Sequence, residues 1–150
     1  MTLYYLDASA WVKRYYLEDG TIWVQELFAH NQKIACASLG MIEVMATLSR
    51  KCKGKEITPS QFKQKAGELE DDWERFVKIQ MTYEVVHIAK ELTKKLSLRG
   101  SDAVHLSSAL LLQKRFTEKD NQLIMVAADH ELIEAAKSSG LRVLDPIEQM

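Results

Sequence analysis

Apolar and polar positions follow two different periods along the chain, and the switching between them sets the expected architecture. Positions 3–6 form a short apolar run stopped by Asp7, and 10–17 then reads as a helix closed near Gly20. Thr21 is a candidate cap for a second helix to about position 30, 33–37 reads as a second strand, and Ser38 is a candidate cap for a nearly all-apolar helix reaching Arg50. Thr58-Pro59-Ser60-Gln61 has capping-box spacing with proline at the first helical position, and it predicts an amphipathic helix toward Phe76. A short strand near 79–81 precedes a helix over 83–96, and Ser101 is expected to cap a helix over 102–114. Positions 123–127, 130–139 and 142–144 follow as strand, helix and strand. Strands alternating with helices from end to end predict an α/β domain with a central, mostly parallel sheet flanked by helices on both faces. No repeat, low-complexity tract or linker divides the chain, so 1–150 reads as one domain.

Composition supports that picture and narrows the setting. At 150 residues and 47% hydrophobic content, the chain can bury roughly two-thirds of its unfolded surface in one core. Its longest apolar stretches, 39–48 and 103–112, carry interior polar residues and fall short of the roughly 20 residues a membrane helix needs. The N-terminal Met-Thr-Leu-Tyr-Tyr-Leu-Asp lacks the basic and apolar regions of a secretory signal. Cys36 and Cys52 have no metal-binding spacing and read as free thiols. A cytoplasmic protein with no membrane contact is the expectation. The net charge of −1 supplies no overall basic field for nucleic acid. Basic residues do cluster at Arg50, Lys51, Lys53, Lys55, Lys63 and Lys65 and at Lys90, Lys94, Lys95 and Arg99, with acids over 68–74. Solvated helix faces of mixed charge account for these runs, and a basic rim around an acidic site is the alternative.

The candidate chemistry lies in acids placed where acids are uncomfortable. Asp7 and Asp129 each follow an apolar strand, Tyr4-Tyr5-Leu6 and Ile124-Met125-Val126-Ala127-Ala128. In open parallel sheets, ligands bind beyond the carboxyl ends of the strands, so both acids are expected at one crevice, although each can also simply cap the next helix. Glu43 is the only charge between Lys33 and Arg50, within Leu39-Gly40-Met41-Ile42-Glu43-Val44-Met45-Ala46. A carboxylate in such a segment needs a metal, a shared proton or a cation such as Arg50. Asp102 shares a helical stripe with Leu106, Ala109, Leu110 and Gln113, and His105 shares its face. Four converging acids would repel one another unless multivalent cations neutralised them, and oxygen-only ligands select hard cations such as Mg2+ or Mn2+. Such a site suits phosphoryl transfer.

Four segments carry a family resemblance: Tyr5-Leu6-Asp7-Ala8-Ser9-Ala10-Trp11-Val12-Lys13, Ile42-Glu43-Val44, Ser101-Asp102-Ala103-Val104-His105-Leu106-Ser107-Ser108-Ala109, and Val126-Ala127-Ala128-Asp129-His130-Glu131-Leu132. In order and spacing they resemble the acidic motifs of PIN domains, particularly the VapC toxins. The resemblance implies helices about a parallel sheet, divalent-metal-dependent cleavage of single-stranded or looped RNA to 5′-phosphate and 3′-hydroxyl ends, homodimerisation, and inhibition by a small antitoxin. Carried over, Asp7, Glu43 and Asp102 match the core metal-binding acids, Asp129 the more variable fourth acid, and Ser9 the small hydroxyl residue beside the first. Lys13 and Arg50 are candidate phosphate contacts, and His105 is expected to be packed or hydrogen-bonded near the site. Ala127 departs from the family, which often has threonine or serine there, and leaves fine active-site geometry open. A non-catalytic PIN-fold interaction module is the alternative function.

Other chemistries fit less well. An aspartyl-phosphate phosphatase wants an aspartate two residues after the first, where this chain has Ser9. His30, His87, His105 and His130 lack zinc-hydrolase spacing, and the glycines make no phosphate-cradling loop. Trp11, Trp23 and Trp73 read as packing residues before base-stacking ones.

Overall fold

Period-2 patterning divides the strands between two cores. In the computed structural model, which describes residues 1–116, 118 and 120–149, strand β1 (Thr2–Leu6) sends Leu3 and Tyr5 to one face and Leu6 to the other. Strands β2 (Lys33–Ala37), β3 (Val77–Ile79), β4 (Gln122–Val126) and β5 (Arg142–Leu144) complete a sheet of order β3-β2-β1-β4-β5 in which every pairing is parallel. The expected mostly parallel sheet is therefore wholly parallel among the described residues.

Helices cover both faces, as expected. Helices α1 (Ala8–Trp11), α2 (Thr21–Ala29), α3 (Ser38–Lys53) and α4 (Pro59–Arg75) pack with Leu6, Ile34, Cys36 and Val126. Helices α5 (Tyr83–Leu96), α6 (Gly100–Arg115) and α7 (His130–Ser138) pack with Leu3, Tyr5, Ala37 and Met125 on the opposite face. Trp11, Trp23 and Trp73 are packing residues: Trp23 and Trp73 pack against the core, and Trp11 is fully buried, with its ring centroid 4.6 Å from Phe76 and 5.7 Å from Trp73. Both cysteines are free, Cys36 buried and Cys52 half-buried. Among the described residues no helix is long and apolar enough to cross a membrane.

Several helix starts differ from the sequence expectation. Thr58 forms the predicted capping box with Gln61. Thr21, Ser38 and Ser101 instead lie inside the first turn, and the cap positions fall on Gly20, Ala37 and Arg99. Gly20 takes that place because its φ of +91° is a left-handed conformation open to glycine. Thr21 is used otherwise: its Oγ1 accepts the Glu18 N–H at 3.0 Å. The first helix is also shorter than the predicted 10–17. Its α-turn ends at Trp11 and tightens into a 3-10 turn over Val12–Arg14.

Asp72 corrects the reading of 68–74 as a wholly solvated acidic run. It is buried and accepts hydrogen bonds from Tyr15 Oη at 2.6 Å, Arg14 Nε at 3.0 Å and Arg75 Nη2 at 2.9 Å. The Arg14 guanidinium also stacks 4.3 Å from the Phe28 ring centroid. This cluster pins α4 to the turn after α1, and its three donors are what make the buried carboxylate tolerable.

Candidate active site

The chain runs from β1 outward to β2 and β3, then crosses back to β4 and β5, so the topological switch point lies between β1 and β4. That crevice is where open α/β sheets bind ligands, and the first and fourth acids stand at its rim. Asp7 ends β1 and caps α1, accepting the Ala10 N–H at 3.0 Å. Ser9 Oγ lies 2.8 Å from both Asp7 carboxylate oxygens. It also accepts the Ala128 N–H at 3.3 Å, which ties the end of β1 to the segment after β4. A serine hydroxyl has one proton, so it donates to one Asp7 oxygen at a time. Asp129 caps α7 through Oδ2, which accepts the Leu132 N–H at 3.0 Å.

Helices supply the other two acids. Asp102 sits in the first turn of α6 and is buried, and Glu43 projects from the middle of α3 with its side chain 30% exposed. His105, one turn after Asp102 and almost completely buried, brings its Nε2 within 2.6 Å of Glu43 Oε1. The competing expectation of a Glu43–Arg50 ion pair is thereby displaced, since the Arg50 guanidinium contacts Thr47 Oγ1 instead, at 3.3 Å. An i+7 spacing puts Arg50 two turns away along α3, whereas His105 faces Glu43 from the neighbouring helix.

A residue that patterning did not single out links two of the acids. Arg99, the cap position of α6, reaches Asp102 Oδ2 at 3.2 Å and Asp129 Oδ1 at 3.3 Å through the same Nη2. Its side chain is 69% exposed, and among the described residues its guanidinium bonds these two acids. In the sequence Arg99 looked like one more surface cation. The available signal was its place three residues before Asp102, an i,i+3 pair at a helix start.

The electrostatics match crowded carboxylates. Burial pushes the Asp7 carboxyl above its usual range, His105, Ser9 and Ala10 pull it down, and Asp102 adds to the rise. Asp102 is likewise raised by burial, lowered by Arg99 and raised by Asp129. Arg99 in turn is raised by Asp102 and Asp129. Burial opposes a charged His105, and the Glu43 carboxylate hydrogen-bonded to its Nε2 acts against burial to raise its pKa above the ordinary histidine value.

An open groove of about 670 Å³ runs past Ser9, Glu43, Arg50 and Asp129. Lys13 and Glu18 form part of the same wall. Lys13 is nearly buried and donates to Glu18 Oε1 at 3.0 Å, so its charge is already matched. Arg50 is exposed on the groove. Of the two candidate phosphate contacts, Arg50 presents its charge to the groove more openly.

The donor set fits a hard divalent cation in kind: carboxylate oxygens from Asp7, Asp102, Asp129 and Glu43. Among the described residues no three acidic, histidine or cysteine side chains stand in an arrangement that could hold a metal ion as they are. A cation nonetheless pairs with two of these acids, since Arg99 bridges Asp102 and Asp129. The residues thus fit a metal in donor chemistry and not in their present spacing. Asp7, Ser9, Glu43, His105, Asp102 and Asp129 are drawn into one neighbourhood by the links described, while Lys13 and Arg50 line its approach. Patterning named Arg99 only within a basic run that could rim an acidic site, and gave no site role to Glu18 or to Tyr5, whose hydroxyl contacts His105.

Comparison with known proteins identifies the family and the fold. The PIN domain family matches residues 4–138. "Ribonuclease VapC45" and "Ribonuclease VapC49" of Mycobacterium tuberculosis are each 32% identical over 150 residues, covering 97% of this chain and 100% of theirs. A solved toxin-antitoxin complex from Klebsiella pneumoniae shares the fold, with a TM-score of 0.64, 15% identity, and coverage of 95% of this chain and 96% of that one.

Proposed function

The chain belongs to the PIN domain family, and on that premise we propose that it is a divalent-metal-dependent endoribonuclease that cuts single-stranded or looped RNA as the toxin of a toxin–antitoxin pair. The observation that carries the reading is the set of acids at the β1/β4 switch point, two of them bridged by the Arg99 guanidinium. Helix caps and single partners account for each acid alone, and their gathering in one neighbourhood is what favours a nuclease over a binding scaffold. The relatives named ribonucleases support the nuclease assignment.

Asp7, Glu43, Asp102 and Asp129 are the residues that would hold Mg2+ or Mn2+. Such a cation, when bound, lowers the pKa of an attacking water and offsets charge developing on the phosphodiester. The chain's own groups set up that event. Ser9 holds Asp7 by its hydroxyl and fixes it against Ala128. Arg50 presents a cation along the groove, where it can pair with a backbone phosphate. Lys13, matched by Glu18, shapes the wall of that groove. Arg99, released from Asp102 and Asp129, remains at the rim as a second cation for phosphate.

A small antitoxin and a homodimeric state belong to this reading. The antitoxin is supported by the likeness to the Klebsiella pneumoniae complex, and the dimer by the family resemblance. Purified protein incubated with labelled structured and single-stranded RNAs in manganese, magnesium or chelator tests the proposal, with Asp102→Asn as the control. Metal-dependent cleavage that disappears in the variant is expected. No cleavage by protein that binds metal and carries no copurified inhibitor would overturn it in favour of a non-catalytic module.

A further inference from the structure

Behind Glu43 lies a buried polar chain that the metal-site reading leaves unexplained. Tyr5, next to the last residue of β1, is fully buried, and its hydroxyl is 2.8 Å from His105 Nδ1. The same oxygen accepts the Ala37 N–H at 3.1 Å. His105 Nε2, on the far side of the ring, is 2.6 Å from Glu43 Oε1. The two rings meet edge to face at 5.9 Å and 72°.

Close packing locks the imidazole in this place. A Cβ at Gly40 would lie 2.3 Å from Cys36 Sγ and 3.2 Å from His105 Cε1, so only glycine lets α3 approach β2 and the ring this closely. Glu43 follows Gly40 by three residues and so lies on the same side of the helix, where it meets the ring.

Counting protons fixes the direction of the hydrogen bonds. With its oxygen already accepting from Ala37, Tyr5 can give its single proton to Nδ1 of a neutral imidazole, which puts the imidazole proton on Nε2. A charged imidazole carries protons on both nitrogens. Nε2 therefore donates to the Glu43 carboxylate in either state, whereas the remaining tautomer would set a bare nitrogen lone pair against an oxygen at 2.6 Å.

We infer that Tyr5 and His105 are positioning residues for Glu43: through the Tyr5–His105–Glu43 chain they hold Oε1 by a fixed N–H and leave the second carboxylate oxygen to a cation. Glu43 is partly exposed on a flexible side chain, so without this anchor it must be ordered when the cation binds. Histidines and carboxylates behind metal ligands commonly act this way. The inference rests on the reading of Glu43 as a metal ligand.

Tyr5→Phe keeps the ring and removes the hydroxyl, and manganese binding measured calorimetrically without RNA reads the effect. Affinity about tenfold or more weaker than wild type is expected. Unchanged affinity in Tyr5→Phe, beside a wild type that does bind, would overturn the positioning role and leave the metal site standing. A wild type that binds no manganese would sink the metal-site reading and this inference with it. If Tyr5→Phe does not fold, His105→Gln and His105→Leu decide: the glutamine retains an N–H for Glu43, so it should bind manganese more tightly than the leucine, and equal affinities contradict the chain. Nitrogen-15 NMR of the metal-free wild type gives a check that needs no variant. A proton on His105 Nε2 is expected, and a bare Nε2 would refute the inference.

Discussion

Manganese should raise the melting temperature of the wild-type protein, and Asp102→Asn should abolish that response while making the metal-free protein no less stable. Asp102 is nearly buried, and both burial and the charge of Asp129 push its carboxyl upward despite the Arg99 contact. A carboxylate whose folded pKa is raised stabilises the fold only while protonated, and that stability is lost as the pH rises through the folded value. Above that folded value the ionised Asp102 therefore opposes folding, and asparagine removes the charge while its amide oxygen still accepts from Arg99. A cation that binds only the folded state at 100 times its Kd adds about 2.7 kcal/mol. For a chain of this length that corresponds to a rise of about 5–10 °C. Thermal melts of both proteins at one neutral pH, across a manganese series and in chelator, read out both halves. Equal manganese shifts in wild type and variant would refute the assignment of Asp102 to the site. A metal-free variant that melts well below wild type would refute the claim that its charge is a burden.

Two further predictions address the cations. Arg99→Gln removes the guanidinium that a metal must displace from Asp102 and Asp129, so manganese should bind more tightly in calorimetry without RNA; weaker binding would show that Arg99 supports the metal site instead of competing for it. Asp72→Asn takes the charge from a buried carboxylate held by Arg14, Arg75 and Tyr15 and should lower stability by about 3 kcal/mol in denaturant titrations. Manganese affinity of the folded Asp72→Asn protein should stay at the wild-type value, and a loss of metal binding would mean that this cluster is coupled to the site.

The elements that position the site were largely legible because they depend on local signals. Strand β2 was read at its observed limits, the Thr58 capping box was readable from four residues, and Asp7 and Asp129 declared themselves by following apolar runs. Helix starts were less legible where the chain passes from strand to helix within a residue or two. Ala37 and Arg99 hold cap positions without a capping side-chain hydrogen bond, so nearby serines misled the reading.

Residues whose roles arise from distant partners were not legible. Tyr5 looks like any core strand residue until α6 brings His105 against it, 100 positions along the chain. Arg99 looks like a surface cation until the end of β4 places Asp129 beside it. Asp72 sat within a polar helical run, and its burial depends on Arg14 and Tyr15 from the turn after α1. In each case a contact made in three dimensions decides whether a charge or a hydroxyl is solvated or used.

The central claim is that Asp7, Glu43, Asp102 and Asp129 form one metal site, and anomalous scattering from a manganese-soaked crystal tests it most directly. The account predicts a manganese peak among these four carboxylates, with the Arg99 guanidinium withdrawn from Asp102 and Asp129. Full soaking with no peak there, and Arg99 still bridging the two acids, would contradict it.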